Sequence, residues 1–552
     1  MKFVVVTGGV ISGLGKGITT SSLARILKSR GMAVTVVKID PYLNVDAGTM
    51  NPYQHGEVFV LDDGMEVDLD LGNYERFLGE SLPGSHNITT GKVYRAVIEK
   101  ERRGDYLGNT VQIIPHVTGE VKRMLREAGQ SAGAEVVLVE VGGTVGDIES
   151  MPFLEALREL QQEVGGKENM AFVHTTLVPV VGAVGEAKTK PTQHSVRELR
   201  SIGIAPDMVM ARGPALLTPE LKAKISLFCD VPAEAVISVP DQVTVYHVPL
   251  HLESQGVGDY LTKRLKLPTR TADWTRWRQF LDTYGKATRE VRVGFVGKYI
   301  QLKDAYLSHL EAFHHCQGNL GVKISVEWFD AEDLRKDPAT QQRLREVDGI
   351  LIPGGYGVRG IEGKILAAEI ARTQNIPFLG ICLGFQLATV EFARNVLQLK
   401  DANSSELDPH TPHPVVTLLD TQEGVANLGG TQRLGSQRVL LTEDSQVHRL
   451  YGRREIFERH RHRFEVNPTY LERFTKAGYA VTGTSPDGRV EVFELPDHPF
   501  FLGVQYHPEF LSRPESPHPL FAGLVRAALA RREGVSTSKE EVPRVPTPSI
   551  VA

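Results

Sequence analysis

At 552 residues, with 41% hydrophobic and 23% charged side chains, the chain is too long for one core and has the balance of a globular enzyme of two or more domains. A formal net charge of −5 argues against a nucleic-acid or membrane-surface protein, and no apolar run approaches the roughly 20 residues of a membrane span. Cys229, Cys316 and Cys382 are spaced too widely for a disulfide framework or a zinc pattern; with no signal peptide evident before the first strand, the expected compartment is a reducing cytoplasm.

Residues 2–7 form an apolar run that predicts a buried strand. Gly8-Gly9-Val10-Ile11-Ser12-Gly13-Leu14-Gly15-Lys16-Gly17 follows, and then a helical pattern over 18–29. A glycine-rich loop between a first strand and a helix N-terminus is a phosphate cradle, because backbone N–H groups and a lysine converge on the anion. The spacing departs from a strict Walker loop. Counted back from Lys16 the first glycine, Gly9, falls one residue early, and Gly17 replaces the usual Ser or Thr. This longer loop resembles the dethiobiotin-synthetase branch of P-loop enzymes; a glycine turn of purely structural use is the alternative.

A second strand is expected over 31–39. The stretch 44–70 is dense in acids, including Asp68 and Asp70, and reads either as a solvated loop or as a source of hard-cation ligands. Residues 136–139 predict a buried strand with Glu140 at its carboxyl end, where a P-loop fold places its magnesium-directed acid. Strands recur over 170–179, 208–211 and 235–238. Between the first two, Lys188-Thr189-Lys190-Pro191-Thr192-Gln193-His194-Ser195 is a basic, hydroxyl-rich loop expected to enter a helix at about Ser195. It suits a triphosphate, or is simply an exposed charged loop. Alternating strands and helices imply a mostly parallel α/β sheet.

Residues 268–290, with Trp274 and Trp277 in a polar, partly helical context, read as a linker between a domain at 1–267 and a second α/β domain at 291–533. The second domain restarts with a strand over 291–297, and further strands at 323–328, 349–352 and 376–381 lead to Cys382. Gly380 and Gly384 flank that cysteine, and a helix follows over 385–392: a strand, a tight turn and a helix with a thiol at the tip. A thiol at a helix N-terminus is favoured as thiolate, whereas a lone cysteine is more often a small buried apolar residue. The strand expected over 501–506 runs into His507-Pro508-Glu509, which supplies an imidazole and a carboxylate to orient it. A glycine loop at Gly354-Gly355-Tyr356-Gly357 can aim N–H groups at an oxyanion. The basic run from Arg459 to Arg463 is short, is flanked by Glu458 and Glu465 and lacks a stacking platform for RNA. The Ser, Pro and Glu content of 534–552 suggests a disordered tail.

The Cys382, His507–Glu509 and glycine-loop pieces together resemble the class I, triad-type glutamine amidotransferases. That resemblance implies Cys382 as nucleophile, His507 as base and Glu509 as its orienter. It gives Gly355 and the N–H of Leu383 to the oxyanion hole, puts Gly384, Phe385 and Gln386 in the same binding segment, and assigns Glu406 and Arg463 to the ammonium and carboxylate of L-glutamine. The first domain resembles the CTP synthase family along essentially its whole length. The resemblance rests on Asp40-Pro41-Tyr42, Gln54-His55-Gly56-Glu57-Val58-Phe59-Val60, Asp68-Leu69-Asp70-Leu71-Gly72, Lys100-Glu101-Arg102-Arg103-Gly104-Asp105-Tyr106-Leu107-Gly108, Gly142-Gly143-Thr144-Val145-Gly146-Asp147-Ile148-Glu149-Ser150 and the Lys188–Ser195 loop.

This family implies an N-terminal P-loop, dethiobiotin-synthetase-like parallel sheet followed by a C-terminal class I glutamine amidotransferase α/β domain. Gly13, Leu14, Gly15, Lys16, Gly17 and Ile18 would hold the phosphates of ATP, with Lys16 and Lys38 neutralising them, and Asp70 and Glu140 would hold Mg²⁺. Ser12, Lys188, Thr189, Lys190, Pro191, Thr192, Gln193 and Lys224 would contact the pyrimidine nucleotide UTP. Asp147, Ile148 and Glu149 would recognise the product CTP as a feedback inhibitor. GTP would activate, with the loop 356–364 a plausible part of that response, and dimers would assemble into a tetramer. Two rivals are a corrinoid-type amidoligase, on architecture, and a partitioning-type ATPase, which leaves Cys382, His507 and Glu509 without purpose.

Overall fold

The computed structural model describes residues 1–51, 55–181, 185–298, 300–418 and 432–535; Gln54, and the expected tail from 536 onward, lie outside them. The chain divides into two compact units, one of Met1–Ala47 with Asp70–Thr275 and one of Gly48–Leu69 with Arg276–Ala552.

The first unit is organised by β1 (Lys2–Gly8), α1 (Lys16–Ser29), β2 (Val34–Asp40), α2 (Leu69–Leu78), β3 (Asn87–Thr89), β4 (Val136–Val141), α3 (Met151–Glu163), β5 (Met170–Leu177), α4 (Lys190–Ser201), β6 (Met208–Gly213) and β7 (Val236–Pro240). The strands form one sheet in the order β7-β6-β5-β1-β4-β2-β3, and every pairing is parallel. Phe3 and Val5 point into a core with Leu154, Leu157 and Leu160 of α3, while Val4 and Val6 are equally buried on the other face. Burial on both faces explains why these strands are uninterrupted apolar runs. Helix α4 begins at Lys190, five residues before the expected entrance near Ser195, because Pro191 sits in the first turn, where its missing N–H costs nothing.

The second unit contains α5 (Thr275–Gly285, its first residue in the other unit), β8 (Arg289–Gly297), α6 (Leu307–Leu320), β9 (Val322–Asp330), β10 (Gly349–Ile352), α7 (Ile361–Thr373), β11 (Phe378–Ile381), α8 (Leu383–Asn395), β12 (Arg433–Leu441), β13 (Glu455–His462), β14 (Ala480–Thr484), β15 (Val490–Glu494), β16 (Phe501–Val504) and α9 (Pro519–Glu533). Its sheet runs β9-β8-β10-β11-β16-β15-β14-β12-β13, parallel as far as β16 and antiparallel beyond. The stretch read as a linker carries α5, and Trp277 is fully buried beside Phe280, whose ring fills the space over Gly318 of α6. A hairpin of Val58–Val60 and Glu66–Asp68 also belongs to this unit, tied to β13 by Arg459, which donates to Asp62 and, at 3.0 Å, to the Val60 carbonyl.

Candidate active site

In the first unit the parallel register sets Lys38 opposite Glu140, at the carboxyl ends of β2 and β4. Open parallel sheets hold their ligands at these ends. Lys38 Nζ donates to Glu140 Oε1 at 2.8 Å and also to Asp70, and the Tyr74 hydroxyl donates to the second oxygen of Glu140. Burial works against the Lys38 ammonium, but Asp70 and Glu140 outweigh it and hold its pKa well above the ordinary range. Lys16 Nζ donates to the Gly143 carbonyl at 2.7 Å, and burial lowers its pKa against the pull of Glu140. A Cβ on Gly17 would overlap Asp70 Oδ1 and lie 2.8 Å from its carboxyl carbon, so the Asp70 carboxylate stands where a Walker hydroxyl residue would be.

The other expected residues of this unit surround or support that centre. Ser12 and Gly13 are exposed in the loop, Leu14 is buried beneath it, and Gly15 and Ile18 flank the start of α1. Asp147 Oδ2 accepts the Thr144 N–H at 2.7 Å and braces its own loop, whereas Ile148 and Glu149 are exposed. Lys188 pairs with Glu186, and Thr189 accepts from Gln193 at 3.0 Å. Thr192 donates to the Leu177 carbonyl, Lys190 lies over the Phe228 ring, and Lys224 is exposed. Thr189, Thr192 and Gln193 therefore hold the entrance of α4, where Pro191 starts the helix.

In the second unit Cys382 follows β11 with φ 50° and ψ −105°, a strained conformation for a residue with a side chain. A Cβ on Gly384 would lie 2.9 Å from the Ile352 carbonyl carbon, so the turn closes only with glycine there. β11 pairs with β16 as far as Ile381 opposite Val504, and the Cys382 N–H donates to Val504 at 2.7 Å. His507 therefore emerges beside the thiol. Its Nδ1–H donates to Glu509 Oε1 at 2.7 Å, and its ring stacks on Phe510. Burial alone would depress the His507 pKa; Glu509 and Cys382 outweigh it and hold it at about 10. Glu509 lies below the usual carboxylate range: burial opposes this, and His309 and His507 prevail.

A cavity of about 300 Å³ collects Cys382, His507, Glu509 and Gly355 with Tyr356, Lys298, His309 and Arg461, and with Gly48, Thr49, Met50, Glu57 and Val58. Leu383 starts α8 beside Gly355. Arg461 lines this space, and the half-buried Arg463 does not. Glu406 accepts from the Gly357 N–H at 3.3 Å, and burial raises its pKa. Gly384 and Phe385 are packing residues, the latter buried over Gly503. Gln386 donates to the Phe464 carbonyl at 2.7 Å. Sequence reasoning missed Gln505, whose amide lies 3.7 Å from Cys382 Sγ; a glutamine two residues before a histidine carries no motif.

Among the described residues no helix is long and apolar enough to cross a membrane, and no group of three or more His, Cys, Asp or Glu is arranged to hold a metal ion.

Residues 2–267 match the family model described as CTP synthase N-terminus, and residues 301–527 match that of glutamine amidotransferase class-I. A CTP synthase of Methanopyrus kandleri is 58% identical over 530 residues, spanning 96% of this chain and 99% of the relative. One from Thermococcus gammatolerans is 57% identical over 535 residues, 97% and 99% of the two chains. Among solved structures, the glutaminase domain of Trypanosoma brucei CTPS with bound acivicin is 37% identical and covers 46% of this chain and 98% of its own, with a TM-score of 0.42. With more than half of its residues identical to such relatives over nearly the full length of both chains, this chain belongs to the CTP synthase family of glutamine-dependent carbon–nitrogen ligases.

Proposed function

We propose that this chain aminates UTP to CTP, with ATP phosphorylating the uracil 4-oxygen and ammonia from L-glutamine displacing that phosphate. The observation that carries the reading is one cavity holding Cys382, His507 and Glu509, on a chain whose Lys16 and Lys38 lie among Asp70 and Glu140 at the end of a parallel sheet. Residues 1–267 then act as synthetase, apart from the 48–69 strip that joins 291–533 in the glutaminase.

With its pKa held at about 10, His507 enters the reaction as imidazolium. The Cys382 thiolate attacks the glutamine carboxamide carbon, and the N–H groups of Gly355 and Leu383 take the developing oxyanion. The imidazolium gives its proton to the departing nitrogen as the C–N bond breaks, leaving a glutamyl thioester. Water, deprotonated by His507, then hydrolyses the thioester to glutamate and restores the thiolate and imidazolium. Glu509 holds the ring for both transfers; the family resemblance gives the orienting of the amino acid to Glu406 and Arg463, although Arg461 is the arginine in the cavity wall.

In the synthetase half, Lys16 and Lys38 neutralise phosphate charge, and Ser12, Lys188–Gln193 and Lys224 take the pyrimidine nucleotide. Two carboxylates, Asp70 and Glu140, with a glycine at position 17, form a hard oxygen donor set that fits Mg²⁺ keeping several water and phosphate ligands. Bound there, Mg²⁺ would supply charge neutralisation at the phosphates. CTP inhibition at Asp147–Glu149, GTP activation, a homodimer pairing into a homotetramer and a cytoplasmic location complete the reading. The test is product analysis with UTP, ATP, Mg²⁺ and glutamine. CTP and glutamate in equal amounts are expected; glutamate release without CTP would overturn it.

A further inference from the structure

His309 stands in the first turn of α6, 4% exposed, walled by the rings of Phe295, Tyr306 and Phe521. Its two ring nitrogens face two carboxylates. Nε2 is 3.5 Å from Glu509 Oε1, and Nδ1 is 3.8 Å from Glu57 Oε1. Neither nitrogen completes a hydrogen bond, and neither does Glu509 Oε2. A buried imidazole and a buried carboxylate oxygen left without partners are costly, and a small shift of either would recover that loss. The charged groups acting on His309 are Glu509, His507 and Lys364, with Glu57 on its other side. Burial keeps the ring neutral at working pH, with a pKa of about 4, so it has one N–H to give.

Glu57 is anchored independently. Its Oε2 accepts the Ser308 N–H at 3.0 Å and the Ser308 hydroxyl, capping α6, and its own N–H donates to the Asp304 carbonyl at 3.1 Å. Seating of the 48–69 segment therefore sets the electrostatic field on the Nδ1 side of His309. We propose that His309 is a positioning residue for the glutaminase, a second imidazole that gives its single N–H to Glu509 and is itself held in place by Glu57, which caps α6 through Ser308. The proposal rests on the glutaminase reading of Cys382, His507 and Glu509. Shared between two donors, Glu509 is fixed in orientation, and part of its charge is withdrawn from His507.

The test uses the full-length enzyme. His309→Leu should lower kcat for glutamine hydrolysis on the order of tenfold through misplacement of the triad, with little change in KM. It should also move the alkaline limb of the glutaminase pH profile upward, since Glu509 then serves His507 alone. His309→Gln, which keeps an N–H donor, should recover most of the rate and return the limb toward its original place. CTP formation from free ammonia should be unchanged in both variants, which shows that they fold. Glu57→Gln should lower kcat alone, and add little to His309→Leu when the two are combined. An unmoved alkaline limb, equal losses in the Leu and Gln variants, or additive losses with Glu57→Gln would overturn the proposal. Glutamine hydrolysis persisting in Cys382→Ala would instead overturn the glutaminase reading itself.

Discussion

Gly17 and Asp70 compete for one volume: the Asp70 carboxylate lies where a side chain at position 17 would begin. The departure from the Walker pattern is thus matched in space, where a carboxylate from α2 occupies the volume that a hydroxyl residue on α1 would take.

Gly17→Ser restores the Walker-type hydroxyl in sequence and should nevertheless inactivate the synthetase. The new Cβ displaces Asp70, which loosens its ion pair with Lys38. CTP formation with glutamine and with free ammonia should both fall at least about a hundredfold, the scale set by losing one preorganised charge at a phosphoryl centre. Normal turnover with ammonia would sink this account.

Glu140→Gln removes one of the three carboxylates, with Asp70 and Asp40, that balance the buried Lys38. Leaving that ammonium under-compensated should destabilise the protein by about 3–5 kcal/mol. Asp70→Asn, at a more exposed carboxylate, should cost less stability. Both should need more Mg²⁺ for half-maximal CTP formation. Denaturant titrations alongside metal titrations separate the two effects, and an unchanged metal requirement in both variants would move the metal elsewhere.

Cys382→Ala should abolish glutamine-dependent CTP formation while keeping most of the ammonia-dependent rate. That rate should climb with pH as ammonium loses its proton. Loss of the ammonia reaction in a folded Cys382→Ala protein would refute the division of labour between the two units.

His507 binds its proton more tightly folded, at about 10, than in the unfolded chain, at about 6.5. Its contribution to stability is therefore fully present below about pH 6.5 and is lost as the pH rises through 10. Glu509→Gln removes the largest charge holding that proton, so it should flatten the stability decline between these values and lower the alkaline limb of glutamine hydrolysis. Chemical denaturation across that interval, compared with the parent, checks the sign.

The parallel strands were legible because burial on both faces leaves no polar residue to interrupt Phe3–Val6 or Val136–Val139. The Cys382 turn was legible because only glycine tolerates the approach of α8 to Ile352, so its frame is written locally. His309, Glu57 and Gln505 were not legible. A histidine in an apolar helix, a glutamate in an acidic loop and a glutamine at a strand end look ordinary until tertiary packing brings them to Cys382. The entrance of α4 was misjudged because the hydroxyl and lysine content of 188–195 masked the helix-starting value of Pro191. Trp277 likewise sits among polar neighbours in sequence, yet α5 turns it inward.

The strip Gly48–Leu69 makes the two units interleaved along the gene. A fragment starting at Arg276 would lack five residues of the cavity wall and the Glu57 cap on Ser308, and would strip the buried Arg459 and the half-buried Arg461 of Asp62 and Glu66. Recombination that exchanges the glutaminase between lineages must therefore carry this strip along, through a second pair of crossovers, or deliver an enzyme with an open flank. The strip binds the inheritance of the two halves together more firmly than any linker could.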